Sequence, residues 1–165
     1  MNVEKTFPIT EKLIANALSL AQQLQLQLEQ EADNLKAGRD STVIDAIAAN
    51  KKQLAAELER FNSQFGQVLA TETLENSQLG IQDYFKRAVN IGLNITSAID
   101  QWDQLMAICA KCRTLNDQNG ASIQLLSLHS KKALQILKGK SELANTYGPD
   151  GATRSDFITR SLISV

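Results

Sequence analysis

The run VIDAIAANKKQLAAELERFNSQFGQV, residues 43–68, decides the fold class. Within it Ile44, Ile47, Lys51, Leu54, Leu58, Phe61, Phe65 and Val68 recur at alternating spacings of three and four, which is the seam of a coiled coil. Only Lys51 breaks that seam. A stripe of this kind needs a partner helix, and the chain upstream offers one. After Pro8 and the capping candidate Thr10, apolar positions run through Leu13, Ala17, Leu20, Leu24, Leu28 and Leu35. The intervening Gly38 and the capping candidates Asp40 and Ser41 are the usual joint of an antiparallel helical hairpin. The pattern predicts helices over about 10–37 and 43–70.

Beyond the hairpin the signal weakens. Residues 71–94 hold Gly80, Gly92 and a short apolar group of Leu79, Ile81, Tyr84 and Phe85, and read as a linker with one or two helical turns. A third helix is expected over about 95–138, with Ile99, Trp102, Leu105, Met106, Cys109, Leu115, Ile123, Leu126, Leu134 and Leu137 on a broad stripe, ending at Gly139. At 1.5 Å per residue it would be about 60 Å long, so an elongated all-α bundle of about three long helices is expected. The helical rod would occupy 1–138. A C-terminal tail would follow over 139–165, with a turn at Tyr147–Gly151 and an apolar tip of Phe157, Ile158, Leu162, Ile163 and Val165.

Composition agrees. Of 165 residues 43% are hydrophobic but only 5% aromatic, and there are two prolines, which disfavours sandwiches, barrels and nucleotide-binding sheets. Seventeen basic side chains against 18 acidic ones leave no basic excess for nucleic acid. Charge is nevertheless divided: residues 1–110 carry nine basic and 14 acidic groups, residues 111–165 eight and four. No apolar run approaches the roughly 20 residues of a membrane span, and MNVEKTFPITEKL lacks the basic and continuous apolar regions of a secretory signal. A cytoplasmic protein without direct membrane insertion is expected.

Three motifs could carry chemistry. Cys109-Ala110-Lys111-Cys112 has redox or zinc spacing, but it falls within a helix with no strand before it, and His129 is the single histidine. Two thiols three residues apart share a helix face, where packing explains them. No nucleophile with a supporting carboxylate lies near His129. Gly139-Lys140-Ser141 lacks the earlier glycine of a phosphate-binding loop, since position 134 is leucine. Neither an enzyme nor a cofactor is expected; the ligand is protein.

Two features exceed core packing. The polar segment Leu115-Asn116-Asp117-Gln118-Asn119-Gly120 lowers helix propensity without ending the apolar pattern. Either a loop splits the helix here or Gly120 admits a close neighbour, and the residues leave both readings open. Tyr147, in the turn Tyr147-Gly148-Pro149-Asp150-Gly151, is a candidate recognition residue.

At LNDQNG (115–120), ALQILKG (133–139), YGPDG (147–151) and the terminal Ile163-Ser164-Val165, in this order and spacing, the chain resembles the FlgN family of flagellar type III export chaperones. The resemblance is specific in the C-terminal third; upstream it rests on a heptad-rich hairpin with acidic bias. It implies an ATP-independent cytoplasmic chaperone of a bacterium that holds the hook-associated proteins FlgK and FlgL by their C-terminal helical segments. It also implies that Tyr147, with Gly148, Asp150 and Gly151 of the same turn, docks on the export gate protein FlhA.

Helix-in-groove capture fits these residues. Leu115, Ile123, Leu126, Leu134 and Leu137 would form the stripe that a client helix completes, Asn119 and Gly120 would permit close approach, and Phe157, Ile158, Leu162 and Ile163 would contribute from the tail. The alternative is a generic coiled-coil adaptor that self-associates through residues 44–68 and has no secretion role. The residues do not fix the preferred client, the stoichiometry, or whether the chain forms a homo-oligomer.

Overall fold

The computed structural model describes residues 2–38 and 40–137, and everything expected of the tail at 139–165 lies outside them. Among the described residues four helices follow one another: α1 Val3–Lys36, α2 Ser41–Thr71, α3 Gln78–Asn90 and α4 Thr96–Leu137. The all-helical class stands, with one more helix than expected. By contacts the chain divides into two units, Met1–Asn119 and Gly120–Val165.

Helix α1 begins at Val3, ahead of the expected start near residue 10, and carries Pro8 inside it. A proline there removes one backbone bond and crowds the preceding turn. Burial outweighs this cost, because Val3 and Phe7 extend a buried seam through Thr10, Ile14, Ala17, Ala21, Leu28, Glu31 and Leu35. The spacing is again three and four throughout, with half-buried Leu24 filling the gap. Thr10, the expected cap, is a seam residue. The start is secured instead by the residue just after α2: the Asn2 N–H donates to Glu72 Oε1 at 2.7 Å, which places a carboxylate at the positive end of α1.

The hairpin joint is as expected. Gly38 adopts φ +60°, and Asp40 caps α2 by accepting the Thr42 N–H at 3.0 Å. On α2 the buried residues Ile47, Leu54, Phe61 and Phe65 keep to the expected seam, and Leu69 extends it by a turn.

The expected linker at 71–94 contains a 13-residue helix, α3. Ser77 caps it by accepting the Gly80 N–H at 3.2 Å. A Cβ at Gly80 would overlap the Glu75 carbonyl oxygen, so any other residue there forces the turn to shift. The helix was hidden because its buried face is Gly80, Tyr84, Phe85 and Ala88, a set with little aliphatic signal. Gly92, at φ +83°, ends the turn after α3, and Asn94 Oδ1 accepts the Thr96 N–H at 3.1 Å where α4 begins.

An aromatic layer closes one part of the first unit. The Phe65 ring centroid lies 5.4 Å from Trp102, 5.7 Å from Phe61 and 6.5 Å from Tyr84, edge-on to the last. Tyr84 is fully buried, yet its hydroxyl is satisfied from α1, at 2.9 Å from Thr6 Oγ1 and 3.0 Å from Thr10 Oγ1. Thr10 Oγ1 also bonds the Thr6 carbonyl at 3.1 Å and Thr6 Oγ1 the Val3 carbonyl at 3.4 Å, so the three hydroxyls form one network with the α1 backbone.

Candidate partner-binding surface

Helix α4 is unbroken through Asn119 and Gly120, which removes the loop reading of that segment. In the first unit its buried residues are Ala98, Leu105, Cys112 and Asn119, one every seven positions. The last of them is polar and 3% exposed. Both Asn119 Nδ2 hydrogens are used, one on the Leu28 carbonyl at 2.9 Å and one on Glu31 Oε2 at 2.8 Å. Lys51 Nζ reaches the same Glu31 oxygen at 2.8 Å and Asn116 Oδ1 at 3.4 Å. The lysine that breaks the α2 seam therefore shares a glutamate of the α1 seam with an asparagine of the α4 seam. Periodicity marks each as an exception, and nothing in it says that they converge.

The expected contact residues part company at this point. Leu115 is half-buried and Asn119 is turned inward, both in the first unit. Gly120 belongs to the second unit and has no described atom within 4 Å of where its Cβ would stand. Further along the second unit, Ile123, Leu126 and Leu134 are 41%, 44% and 54% exposed. Leu125 and Leu128, absent from the expected set, are more than half exposed as well. They lie off the Ile123–Leu126 side of the helix, so this stretch carries apolar side chains on two sides; the four aliphatic residues of 123–128, interrupted by Gln124 and Ser127, were the available signal. Between Gly120 and Leu137 the charged residues are Lys131 and Lys132. Leu137 ends α4, and its side chain, like Phe157, Ile158, Leu162, Ile163 and the Tyr147, Gly148, Asp150 and Gly151 turn, lies outside the described residues.

A separate groove of about 1040 Å³ lies within the first unit, floored by Ile81, Phe85, Ile95, Ile99, Trp102 and Met106 and edged by the amides of Asn62, Asn76, Gln78, Gln82 and Asn90. Sequence periodicity did not mark it, because it depends on α3.

The cysteines are packing residues in this geometry. Cys112 is buried with Sγ 3.8 Å from the Ala21 carbonyl, and burial pushes its thiol up to about 11; burial also raises Cys109. Thiols so placed stay protonated at neutral pH, the opposite of what nucleophilic or metal-binding sulfur needs. Among the described residues no group of three or more metal-ligating side chains is assembled, and no described helix is long and apolar enough to cross a membrane.

No curated protein and no solved structure matches this chain. The FlgN protein family does match, over residues 6–155, a span that takes in nearly all of the hairpin, α3, all of α4 and the YGPDG sequence. The helical hairpin with its apolar C-terminal stretch therefore belongs to the FlgN family of flagellar export chaperones.

Proposed function

We propose that this chain escorts hook-associated proteins of the FlgK and FlgL kind, holding their C-terminal helical region on the second unit until they reach the export gate. The supporting observation is the exposure of Ile123, Leu126 and Leu134 on a stretch of α4 whose charged residues number two. An amphipathic client helix would cover these side chains in the helix-in-groove manner. Leu125 and Leu128 on another side favour a client that wraps the helix rather than lying along one face. Covering three roughly half-exposed aliphatic side chains contributes on the order of 3 kcal/mol, reduced by the ordering of the client. Occupation of the client's coiled-coil-forming end would prevent its premature assembly.

Asn119 leaves the proposed contact set, because its amide is committed to Leu28 and Glu31. Gly120, Leu137 and the tail residues Phe157, Ile158, Leu162 and Ile163 stay in the proposal as contributors to the client contact. Tyr147, with its turn, is the proposed docking element for FlhA, on the strength of family membership.

Titration of the full chain with purified FlgK or FlgL tests the reading. Leu126→Asp combined with Ile123→Asp should weaken client binding at least about tenfold with little change in helix content. Tyr147→Ala should keep client binding and lose binding to the cytoplasmic domain of FlhA. If the natural chain binds neither FlgK nor FlgL, the escort reading is wrong; if both variants bind FlgK, FlgL and FlhA as the natural chain does, the residues assigned to these contacts are wrong. Self-association lost in the double aspartate variant, without any client binding, would favour the adaptor reading.

A further inference from the structure

We propose that Glu31, Lys51 and Asn119 form a releasable polar clasp, which holds the stretch of α4 ending at Asn119 onto the α1–α2 hairpin and opens while the aromatic layer stays closed. The inference concerns the first unit alone and does not depend on the client reading.

The two ends of this unit are held by different physics. Around Tyr84 the contacts are large and apolar: Phe65, Trp102, Phe85 and Phe61 pack ring against ring. Past Leu105, the buried apolar side chain of α4 among the described residues is that of Cys112, a small one, and Ile108 and Cys109 add only half-buried contacts. Toward Asn119 the ties are mainly polar. Lys111 pairs with Glu29 at 2.9 Å in an exposed bridge, Lys51 reaches Asn116 at 3.4 Å, and Asn119 donates to Leu28 and Glu31. Such bonds can be exchanged for bonds to water at small net cost, whereas separating the aromatic rings exposes apolar area with nothing in return. Segments with few buried apolar contacts open below the global unfolding free energy. The clasp nonetheless closes cooperatively, because a single oxygen, Glu31 Oε2, accepts from both Lys51 and Asn119, so each donor helps to place the acceptor for the other. Opening it uncovers Cys112 and Leu115.

Cys112 is a built-in reporter, since its thiol can react only when this stretch leaves Ala21. The full chain carrying Cys109→Ala has that thiol alone. A second protein, with Cys109→Ala, Cys112→Ala and Ala98→Cys, places a thiol on the same helix beside the aromatic layer, where Ala98 is buried. With an aromatic disulfide reagent under native conditions, Cys112 should label at least about tenfold faster than the Ala98→Cys reporter. Tyr84→Phe, which weakens only the layer that stays closed, should accelerate the Ala98→Cys reporter several-fold and leave Cys112 within about twofold. Asn119→Ala should accelerate Cys112. If Ala98→Cys does not fold, backbone hydrogen exchange at Ala98 and Cys112 gives the same comparison. The clasp is refuted if Tyr84→Phe accelerates both positions equally, for then both react through global unfolding, or if Asn119→Ala leaves the Cys112 rate unchanged.

Discussion

Lys51 Nζ lies 2.8 Å from Glu31 Oε2, and the glutamate is only 1% exposed while the lysine keeps an edge in solvent. The pair is asymmetric: the lysine can be hydrated if its partner is lost, and the carboxylate cannot. Lys51→Ala should therefore destabilise the chain by about 3–5 kcal/mol, since it leaves a buried charge without its counter-ion. Joint replacement by Glu31→Leu and Lys51→Met should cost far less, or stabilise. Urea denaturation of the three proteins checks the ordering, which would be reversed if the pair acted as a surface bridge.

Tyr84 depends on two hydroxyls from another helix. Tyr84→Phe keeps the ring packing and leaves Thr10 with only the Thr6 carbonyl as partner. A loss of about 1 kcal/mol is expected, seen as a fall of about 2–4 °C in the melting temperature. A fall greater than 10 °C would mean that the hydroxyl network does more than satisfy buried groups.

Gly80 and Gly120 should respond oppositely to alanine. At Gly80 the new methyl would overlap the Glu75 carbonyl, so the α2–α3 turn must shift; a loss of about 1–3 kcal/mol is expected, with weakened protection of α3 amides in hydrogen exchange. At Gly120 the space is open, and Gly120→Ala in mid-helix should stabilise α4 by about 0.5–1 kcal/mol. If a client helix uses that space, the same variant should bind FlgK or FlgL more weakly although it is more stable. Unchanged affinity would remove Gly120 from the client contact.

Alkali should selectively weaken the fold around Cys112. Burial holds its thiol near 11, above the usual value of about 9, so as pH rises between these values the unfolded chain gives up its proton before the folded one. Stability contributed by the protonated thiol is thus complete below about pH 9 and declines toward pH 11. Cys112→Ala should flatten this part of the urea-midpoint profile, and identical profiles for the two proteins would contradict the assignment.

Much of this architecture is legible in the residues. The seam of α2 can be read directly, and so can the hairpin joint, because Gly38 and Asp40 have local reasons to be where they are. Helix α3 is not legible, since Tyr84 becomes a core residue only when Thr6 and Thr10 of α1 satisfy its hydroxyl. The early start of α1 is hidden for a related reason: Pro8 argues locally against a helix, and only the burial of Val3 and Phe7 against distant segments overrules it.

For the candidate surface on α4 the division is similar. Apolar spacing alone pointed to Ile123, Leu126 and Leu134, because exposed aliphatic side chains need no partner to be recognised in a pattern. The same spacing could not distinguish Asn119 as a surface residue from Asn119 as a buried one. Local propensity and heptad period, carried by each segment separately, determined the three long helices and the class of the protein. Which polar residues face one another, and so whether Glu31, Lys51 and Asn119 are defects or a bonded cluster, was decided only when three helices packed together, because a buried polar group is tolerated solely where another segment supplies its partner.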